Sequence, residues 1–283
     1  MSHNLAAIYT IWKREMLRWW RDKPRIIGSM TFPIIFLFVF GSGLSGSMGN
    51  LAGGASMQPP PGVEVDFKQF IFPGIVGMNL FFAAIFSGIS VVFDREFGIL
   101  KEVLVAPINR SAIAFGKTLG GATVATLQGT LVFIFAPVAG IEISLPLFLA
   151  LWPMMFLTAF ALTAMGVTIA SRMRSTEGFQ VINQFITFPM IFLSGAFFPL
   201  TNLPSWMEFI VKINPASYAV DLLRRVVLSF QDLPDFIMDN LSRFGLGMEF
   251  FGQPLTVWGD VLIVLTFGLI MVGIGMYLFS LRD

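Results

Sequence analysis

The sequence predicts an all-α integral membrane protein with six transmembrane helices. Its 283 residues are 55% hydrophobic and only 12% charged, whereas soluble domains carry about 25% charged residues. Several uncharged runs reach the roughly 20 residues that a helix needs to cross a bilayer. The 27 glycines and 32 phenylalanines also suit membrane spans, where glycine lets helices pack closely. With neither an internal repeat nor a second domain visible, we expect a single transmembrane domain over residues 1–283.

At the N-terminus, residues 1–25 are predicted to form an amphipathic helix that lies in the membrane interface. Within 3–22, apolar side chains recur at steps of three or four, and basic side chains occupy the other faces. A basic helix with tryptophans on its apolar side is typical of interfacial helices, and a soluble amphipathic helix is the alternative. The first apolar run is long enough to span, so we expect no cleavable signal peptide.

The spans follow from the uncharged runs once these are trimmed at turn residues. The first contains Pro33, which is expected to kink it. On the third, Gly116 and Gly120 form a row of small residues that permits a close helix contact, either within the chain or between two chains. The predicted spans are 26–44, 69–92, 113–137, 147–170, 179–200 and 259–280.

Two outer connections are long. Residues 45–68 are rich in Gly, Ser and Pro and are predicted to form a loop. Residues 201–258 are predicted to contain one or two short helices that dip into the outer leaflet or cap the bundle. The helical spacing there involves Trp206, Phe209, Ile210 and Ile213, and then Tyr218, Leu222 and Val226.

The distribution of Lys and Arg indicates which side faces the cytoplasm. Thirteen of the eighteen lie on the side that holds both termini, 94–117 and 171–178. With acidic residues counted as well, this side carries +6 and the other side −5. By the positive-inside rule, both termini are predicted to be cytoplasmic. We expect a multi-pass protein of the plasma membrane, which is the inner membrane of a bacterium.

The predicted spans hold almost no ionisable residues at depth. Lys117, Glu142 and Asp260 are expected near span ends, within reach of water. Proton- and sodium-driven transporters place groups that change charge inside the membrane, and cation channels use acidic rings. The pattern therefore disfavours both classes, and any transport would draw its energy from another subunit. A scaffold or receptor that transports nothing is the alternative.

The chain shows no sign of enzymatic or metal chemistry. It has no Cys and a single His, and it lacks an HExxH motif and a nucleophile–base set. Phe115–Thr118 resembles the end of a phosphate-binding loop, but Ser111 stands where that loop needs a Gly, and a membrane span follows. We therefore predict no catalytic residue, no metal site and no ATP site in this chain.

The most charged stretch in this apolar chain is 94–110, with six charges in seventeen residues. It is predicted to contain a short amphipathic helix that ends near Pro107. The apolar side consists of Ile99, Leu100, Val103 and Leu104, and Lys101 and Glu102 lie opposite.

Two sets of residues resemble type-2 ATP-binding-cassette (ABC) exporter permeases of the multidrug type. Stretch 94–110, followed by Gly116-Lys117, is similar to the charged loop between the second and third spans of that family. The end of the fifth span and the outer segment are similar to its signature, through Ser194-Gly-Ala-Phe-Phe-Pro199, Leu203-Pro204, Asn214-Pro-Ala-Ser-Tyr218 and Leu223-Arg224. The resemblance covers most of 70–230 in detail and the whole chain in topology, and it is weakest over 230–257.

This resemblance implies a permease that works as a pair with two ABC ATPase subunits, which carry the ATP and Mg²⁺; this chain would hold no cofactor. Stretch 94–110 would be the cytoplasmic coupling helix, docked in a groove of the ATPase. Ile99, Leu100, Val103 and Leu104 would fill the groove, and Arg95, Glu96, Lys101 and Glu102 would set the register. The N-terminal helix would form a second part of the transmission region. The alternative for 94–110 is a helix lying flat on lipid headgroups.

The resemblance also places a pathway between two permease copies, lined by the second and fifth spans. Its candidate residues are Asn79, Phe82, Phe86, Asn183 and Phe185. Aromatic side chains with a few amides suit an amphipathic small molecule or a lipid-like compound, moved outward. A polysaccharide or glycolipid exporter is the alternative cargo class, and a non-transporting scaffold is the alternative of another class. We expect a homodimer, with a heterodimer left open, and no nucleic-acid partner.

Overall fold

The computed structural model describes residues 2–51, 67–99, 108–198, 200, 203–231, 247–250 and 253–281. Helices dominate these ranges. They are α1 (Ser2–Arg21), α2 (Lys23–Leu51), α3 (Phe67–Ser87), α4 (Ile89–Glu96), α5 (Arg110–Phe133), α6 (Leu145–Ala170), α7 (Thr176–Phe192), α8 (Ser205–Ile213), α9 (Pro215–Leu228) and α10 (Val257–Ser280). A 3₁₀ helix covers Ala136–Ala139, and β1 (Glu249–Phe250) pairs antiparallel with β2 (Gln253–Pro254).

Three helical segments in the described ranges are long and apolar enough to cross a membrane. They are Lys68–Glu96, Leu145–Ala170 and Val257–Ser280, and a shorter apolar segment, Ile26–Val39, lies within α2. The prediction of a helical membrane protein is therefore confirmed, with one four-residue strand pair as the exception. The count of six spans stays a prediction.

The second predicted span consists of two helices, α3 and α4, with a break at Gly88. The backbone of Gly88 lies so close to α6 that a β-carbon there would be 2.5 Å from the carbonyl oxygen of Gly166. Its amide donates a tight-turn hydrogen bond to Ile85 O at 2.9 Å. The two helix backbones meet without an intervening side chain, and the regular helix is interrupted at this contact.

Other helix ends also differ from the predicted bounds. α2 continues to Leu51, past the predicted end at 44 and into the predicted loop. α7 begins at Thr176 because the hydroxyl of Ser175 accepts a hydrogen bond from the amide of Gly178 and caps the first turn. α8 and α9 lie within 201–258, where one or two short helices are expected.

The core lies between α3, α5 and α6. Phe72 and Leu80 on α3 and Leu151, Met155 and Leu162 on α6 are at most 2% exposed. In a soluble protein, burying a large apolar side chain contributes about 1.5–3 kcal/mol to stability. In a membrane this gain is small, because lipid is itself apolar. Tight packing and close helix contacts therefore stabilise this core.

Several helices keep large apolar side chains on the outside. On α10, Trp258, Leu262, Leu269 and Tyr277 are more than half exposed, while Gly268 lies against Ala161 of α6. Such faces suit contact with lipid or with another protein. α2 and α7 also present outward apolar residues: Ile27, Phe32, Ile35 and Phe38 on α2, and Val181, Phe185, Phe188 and Phe192 on α7.

Candidate functional site

The N-terminal helix α1 packs along α5 at two glycines. A β-carbon on Gly116 would lie 3.1 Å from Cβ of Ile11, and one on Gly120 would lie 2.9 Å from Cβ of Glu15. The row of small residues on α5 therefore serves a contact inside the chain. The opposite side of α1 is also apolar but is exposed. One side of α1 therefore packs on the rest of the chain, and the other side is available to contact lipid or another protein.

A cluster of charged side chains lies where α1, α4 and α5 meet. The ammonium of Lys117 on α5 donates hydrogen bonds to Glu15 Oε1 of α1 at 2.6 Å, to Asp94 Oδ2 of α4 at 2.5 Å and to Ser90 Oγ of α4 at 3.2 Å. Arg14 of α1 also donates to the carboxylate of Asp94. We call Glu15, Ser90, Asp94 and Lys117 the Lys117 cluster.

The expected access of Lys117 to water is wrong, because the residue is 3% exposed. Asp94 is equally buried, and Glu15 is 9% exposed. Polar groups from α1 and α4 cover the ammonium and replace the water that it would otherwise bind. On the outer side of the cluster, the guanidinium of Arg18 stacks over the ring of Phe93 at 5.0 Å and lies 3.9 Å from Asp94.

The C-terminal end of α4 is hydrogen-bonded to the end of α6 and to the start of α7. Arg95 Nη1 donates to the carbonyl oxygens of Ala170 and Met173, at 3.2 and 2.5 Å, where α6 ends. The carboxylate of Glu96 accepts from the amide and the hydroxyl of Thr176, at 3.0 and 2.5 Å, where α7 begins. A cation at a helix C-terminus and an anion at a helix N-terminus both complement the helix dipole.

Beyond α4 the chain turns at Gly98, whose φ of 77° favours glycine. Phe97 is 64% exposed and Ile99 is half-buried. The remaining predicted coupling residues, Leu100, Lys101, Glu102, Val103 and Leu104, lie outside the described residues. The predicted role of Arg95, Glu96 and 99–104 in contacting an ATPase stays a prediction.

The two asparagines predicted to line a pathway are buried within this chain. Asn79 is 4% exposed, and its amide donates to Ser29 O of α2 at 3.0 Å. Asn183 is 1% exposed, and its Oδ1 accepts from the hydroxyl of Thr187 at 3.1 Å. The other polar atom of each amide, Asn79 Oδ1 and Asn183 Nδ2, is buried without a hydrogen-bond partner.

The phenylalanines predicted for the pathway lie nearer the surface. Phe82 and Phe86 on α3 are half-buried, and the ring of Phe82 contacts that of Phe188 on α7 with centroids 6.3 Å apart. Phe185 on α7 is 79% exposed. Of the five predicted residues, Phe185 is thus the one on a free helix face, and their role in a pathway stays a prediction.

The residues after α7 form a turn that is bonded to α9. At Gly195 the φ of 75° lets the chain reverse, and its carbonyl oxygen accepts from Arg224 Nη2 at 2.5 Å. The same guanidinium lies 4.1 Å from the ring centroid of Phe70 on α3. Burial lowers the pKa of Arg224 to about 10, with the charge of Asp221 opposing this shift and that of Arg225 adding to it. Arg224 therefore stays charged at neutral pH.

Asn214 and Tyr218 fix the start of α9. The side chain of Asn214 caps the helix by accepting from the amide of Ala216 at 3.1 Å, and it donates to Met190 O of α7 at 2.7 Å. The hydroxyl of Tyr218 donates to Lys212 O at 2.6 Å, at the end of α8. Burial, and then the charge of Asp260, raises the pKa of Tyr218.

A second buried charge group joins α9 to α10. Arg225 Nε lies 3.0 Å from Asp221 Oδ2 on α9 and 3.5 Å from Asp260 Oδ2 on α10. The amide of Met248, just before β1, donates to the same oxygen of Asp221 at 2.9 Å. Asp260 is 0% exposed, so its expected access to water is also wrong. Glu142 is exposed, as expected.

Sequence reasoning missed the members of the Lys117 cluster on α1 and α4. The spacing of Gly116 and Gly120 predicts a close helix contact but does not name the helix that makes it. If α1 is known to pack on Gly116 and Gly120, then Glu15 on the buried face of α1 is expected next to Lys117. Among the described residues, no three His, Cys, Asp or Glu side chains come together in a way that could hold a metal ion.

Comparison with known proteins matches most of the chain. A family model described as "ABC-2 type transporter" matches residues 6–228, from α1 to the end of α9. The chain is 29% identical over 221 residues to nodulation protein J of Rhizobium leguminosarum bv. viciae, covering 77% of this chain and 81% of that protein. It is 26% identical over 261 residues to putative transport permease ycf38 of Cyanophora paradoxa, covering 89% and 84%.

Proposed function

The chain belongs to the ABC-2 type transporter family, as its motifs indicate, and we propose that it is the transmembrane subunit of an exporter driven by a separate ABC ATPase. Its relatives include a protein described as a "putative transport permease", which supports a transport subunit rather than an enzyme. In this proposal, ATP and Mg²⁺ bind to the ATPase chains, two of which serve a pair of permeases.

The observation that carries the proposal is the set of bonds at the end of α4. Arg95 ties this end to the C-terminus of α6, Glu96 ties it to the N-terminus of α7, and Asp94 ties it to α1 and α5. A force on the residues that follow α4 would therefore reach four helices at once. Such a junction suits a point where an outside protein moves membrane helices, and it supports a coupling role for 94–110.

The charge distribution supports a cytoplasmic position for this junction. Lys and Arg concentrate on the side that holds both termini and 94–117, which the positive-inside rule places in the cytoplasm. We therefore assign the protein to the plasma membrane, the inner membrane in a bacterium, with the ATPase bound at 94–110.

The exposed side of α7 supports a pathway between two copies of the chain. Its inner stripe, Phe179, Asn183, Thr187 and Ile191, is buried within the chain. Its outer side exposes Gln180, Gln184, Phe185, Phe188 and Phe192. Aromatic rings beside two amides suit an amphipathic cargo, either a small molecule or a lipid-like compound. The two glutamines also suit sugar hydroxyls, so a glycolipid is the second candidate.

A first experiment tests the ATPase partner. We expect an ABC ATPase to copurify with the chain in mild detergent. Changing Leu100 or Val103 to Asp should abolish copurification while membrane insertion stays normal, because a charge would enter an apolar groove. Leu281→Asp is the matched control, since Leu281 is exposed and lies on the same predicted side of the membrane. Unchanged copurification of both coupling variants would remove the proposed coupling role.

A second experiment identifies the cargo class. The complex would be placed in nanodiscs and its ATPase activity measured with a lipophilic cation, a short-chain phospholipid and a lipid-linked oligosaccharide. Stimulation by either of the first two supports the main proposal. Stimulation by the oligosaccharide alone supports the glycolipid alternative. A chain that binds no ATPase under any condition would be a scaffold.

A further inference from the structure

The Lys117 cluster satisfies one buried ammonium completely. An ammonium has three N–H donors, and those of Lys117 face Glu15 Oε1, Asp94 Oδ2 and Ser90 Oγ at 2.6, 2.5 and 3.2 Å. Glu15 on α1 lies 102 positions before Lys117, whereas Ser90 and Asp94 on α4 lie 27 and 23 positions before it. One side chain on the third predicted span thus holds the N-terminal helix and the helix that leads to 97–107.

This kind of contact restricts relative motion more than an apolar contact does. Apolar side chains can slide past one another and stay buried, whereas a buried charge that loses its partner has neither water nor a counter-charge to replace it. The two glycines that bring α1 against α5 leave no space for adjustment, since Glu15 Cβ would lie 2.9 Å from a β-carbon on Gly120. The three helices must therefore move together or break the cluster.

The cluster lies next to the junction at the end of α4. Asp94 precedes Arg95 and Glu96, which bond to α6 and α7. A displacement that enters after Glu96 meets the Lys117 cluster within one helical turn. Without this tie, the bonds of Arg95 and Glu96 would still hold α4 to α6 and α7, but a displacement of α4 would lose its direct polar link to α1 and α5.

We infer that Lys117 is a positioning residue that joins α1, α4 and α5 into one rigid unit, so that movement imposed by the ATPase on the stretch after α4 is passed to the membrane helices. This inference rests on the proposed function. It assigns to the cluster a task in transmission, separate from any contribution to folding.

The test uses a chain that contains no cysteine, which allows a single reporter thiol. Trp20→Cys places the thiol on the exposed side of α1, the helix that the cluster joins to α4 and α5. Maleimide labelling of the ATPase-bound complex in nanodiscs, without nucleotide and with ATP plus vanadate, then reports the response of this helix. The variant Glu15→Gln/Asp94→Asn/Lys117→Met removes the three charges together, so that none is left unpaired. Arg14 and Arg18 retain contact with water because their side chains are 40% and 42% exposed.

We expect the triple variant to insert and to bind the ATPase, but to label at the same rate in both nucleotide states. A nucleotide response equal to that of the unmodified cluster would overturn the inference, because folding alone would then explain the charges. If the triple variant fails to insert, Arg14→Met/Glu15→Leu removes both hydrogen bonds from α1 to the cluster, while Lys117 keeps Asp94 and Ser90. It should reduce the response, and an unchanged response would again overturn the inference. Failure of the ATPase to bind the chain with its cluster intact would instead refute the proposed function.

Discussion

The carbonyl oxygen of Ala196 lies where a side chain on Gly74 would begin, since a β-carbon on Gly74 would be 2.4 Å from it. This contact presses α3 against the turn that follows α7. The same turn is held from the other side by Arg224, which donates to Gly195 O. Within the motif that resembles the family, Ala196 therefore contacts α3 through the backbone, and Gly195 binds the side chain of Arg224 on α9.

Changing Gly74 to Ala should destabilise the protein by about 1–3 kcal/mol, because one methyl group forces apart two backbones that have no flexible side chain between them. Thermal unfolding in detergent, followed by circular dichroism, would measure the loss. Gly28→Ala is the control, since a β-carbon on Gly28 would meet nothing within 4 Å. Equal unfolding temperatures for the two variants would contradict the proposed contact.

Removing Arg225 should cost more than removing an exposed cation. Arg225→Met removes the cation that lies within 4 Å of Asp221 and Asp260, and removing one partner of a buried ion pair costs about 3–5 kcal/mol. Lys212→Met breaks an ion pair with Glu208 at 2.6 Å, but both side chains are about half exposed. Such a pair contributes less than about 1 kcal/mol. Denaturant unfolding of both variants would compare the two, and similar losses would contradict the burial of the Arg225 group.

The features that sequence reasoning predicted are those set by local pattern. The helical, amphipathic character of α1, the apolar segments and the short helices α8 and α9 all follow from residue spacing within about twenty positions. The signature around Asn214 is also local, because a cap and a proline at the start of a helix act on the next turn.

The features that sequence reasoning missed depend on contacts between distant residues. Lys117 and Asp260 are near the ends of uncharged runs, where a charged head can reach either water or another helix. Lys117 bonds to Glu15, 102 positions away, and Asp260 pairs with Arg225 on α9. Spacing within one span carries no information about such a partner. Asn183 differs, because its place in the four-residue repeat Phe179, Asn183, Thr187, Ile191 could have indicated a buried side.

A bulky side chain at Gly120 should detach α1 from α5. Gly120→Leu would occupy the space held by Glu15, and α1 would become accessible to protease at Arg18 and Arg21. Limited trypsin digestion in detergent should show cleavage that is about tenfold faster, since local opening governs the rate. Gly273→Leu is the matched control, because nothing lies within 4 Å of a β-carbon there. Unchanged cleavage in Gly120→Leu would show that α1 does not depend on this contact.

The bond between Glu96 and Thr176 should stabilise the first turn of α7. Glu96→Ala removes an acceptor from the amide and the hydroxyl of Thr176, and loss of such a capping contact costs about 0.5–2 kcal/mol. Hydrogen exchange at 176–179 should accelerate by roughly two- to thirtyfold, while exchange in the middle of α6 stays unchanged.

Glu96→Gln is the informative comparison, because its amide keeps one oxygen acceptor for Thr176 but loses the charge that favours a helix N-terminus. We expect its exchange rate to fall between those of the original chain and Glu96→Ala. Combining Glu96→Ala with Thr176→Val should add little to the single change, since both remove parts of the same contact. Fully additive effects would show that the two residues act independently, and that α4 is not tied to α7 at this point.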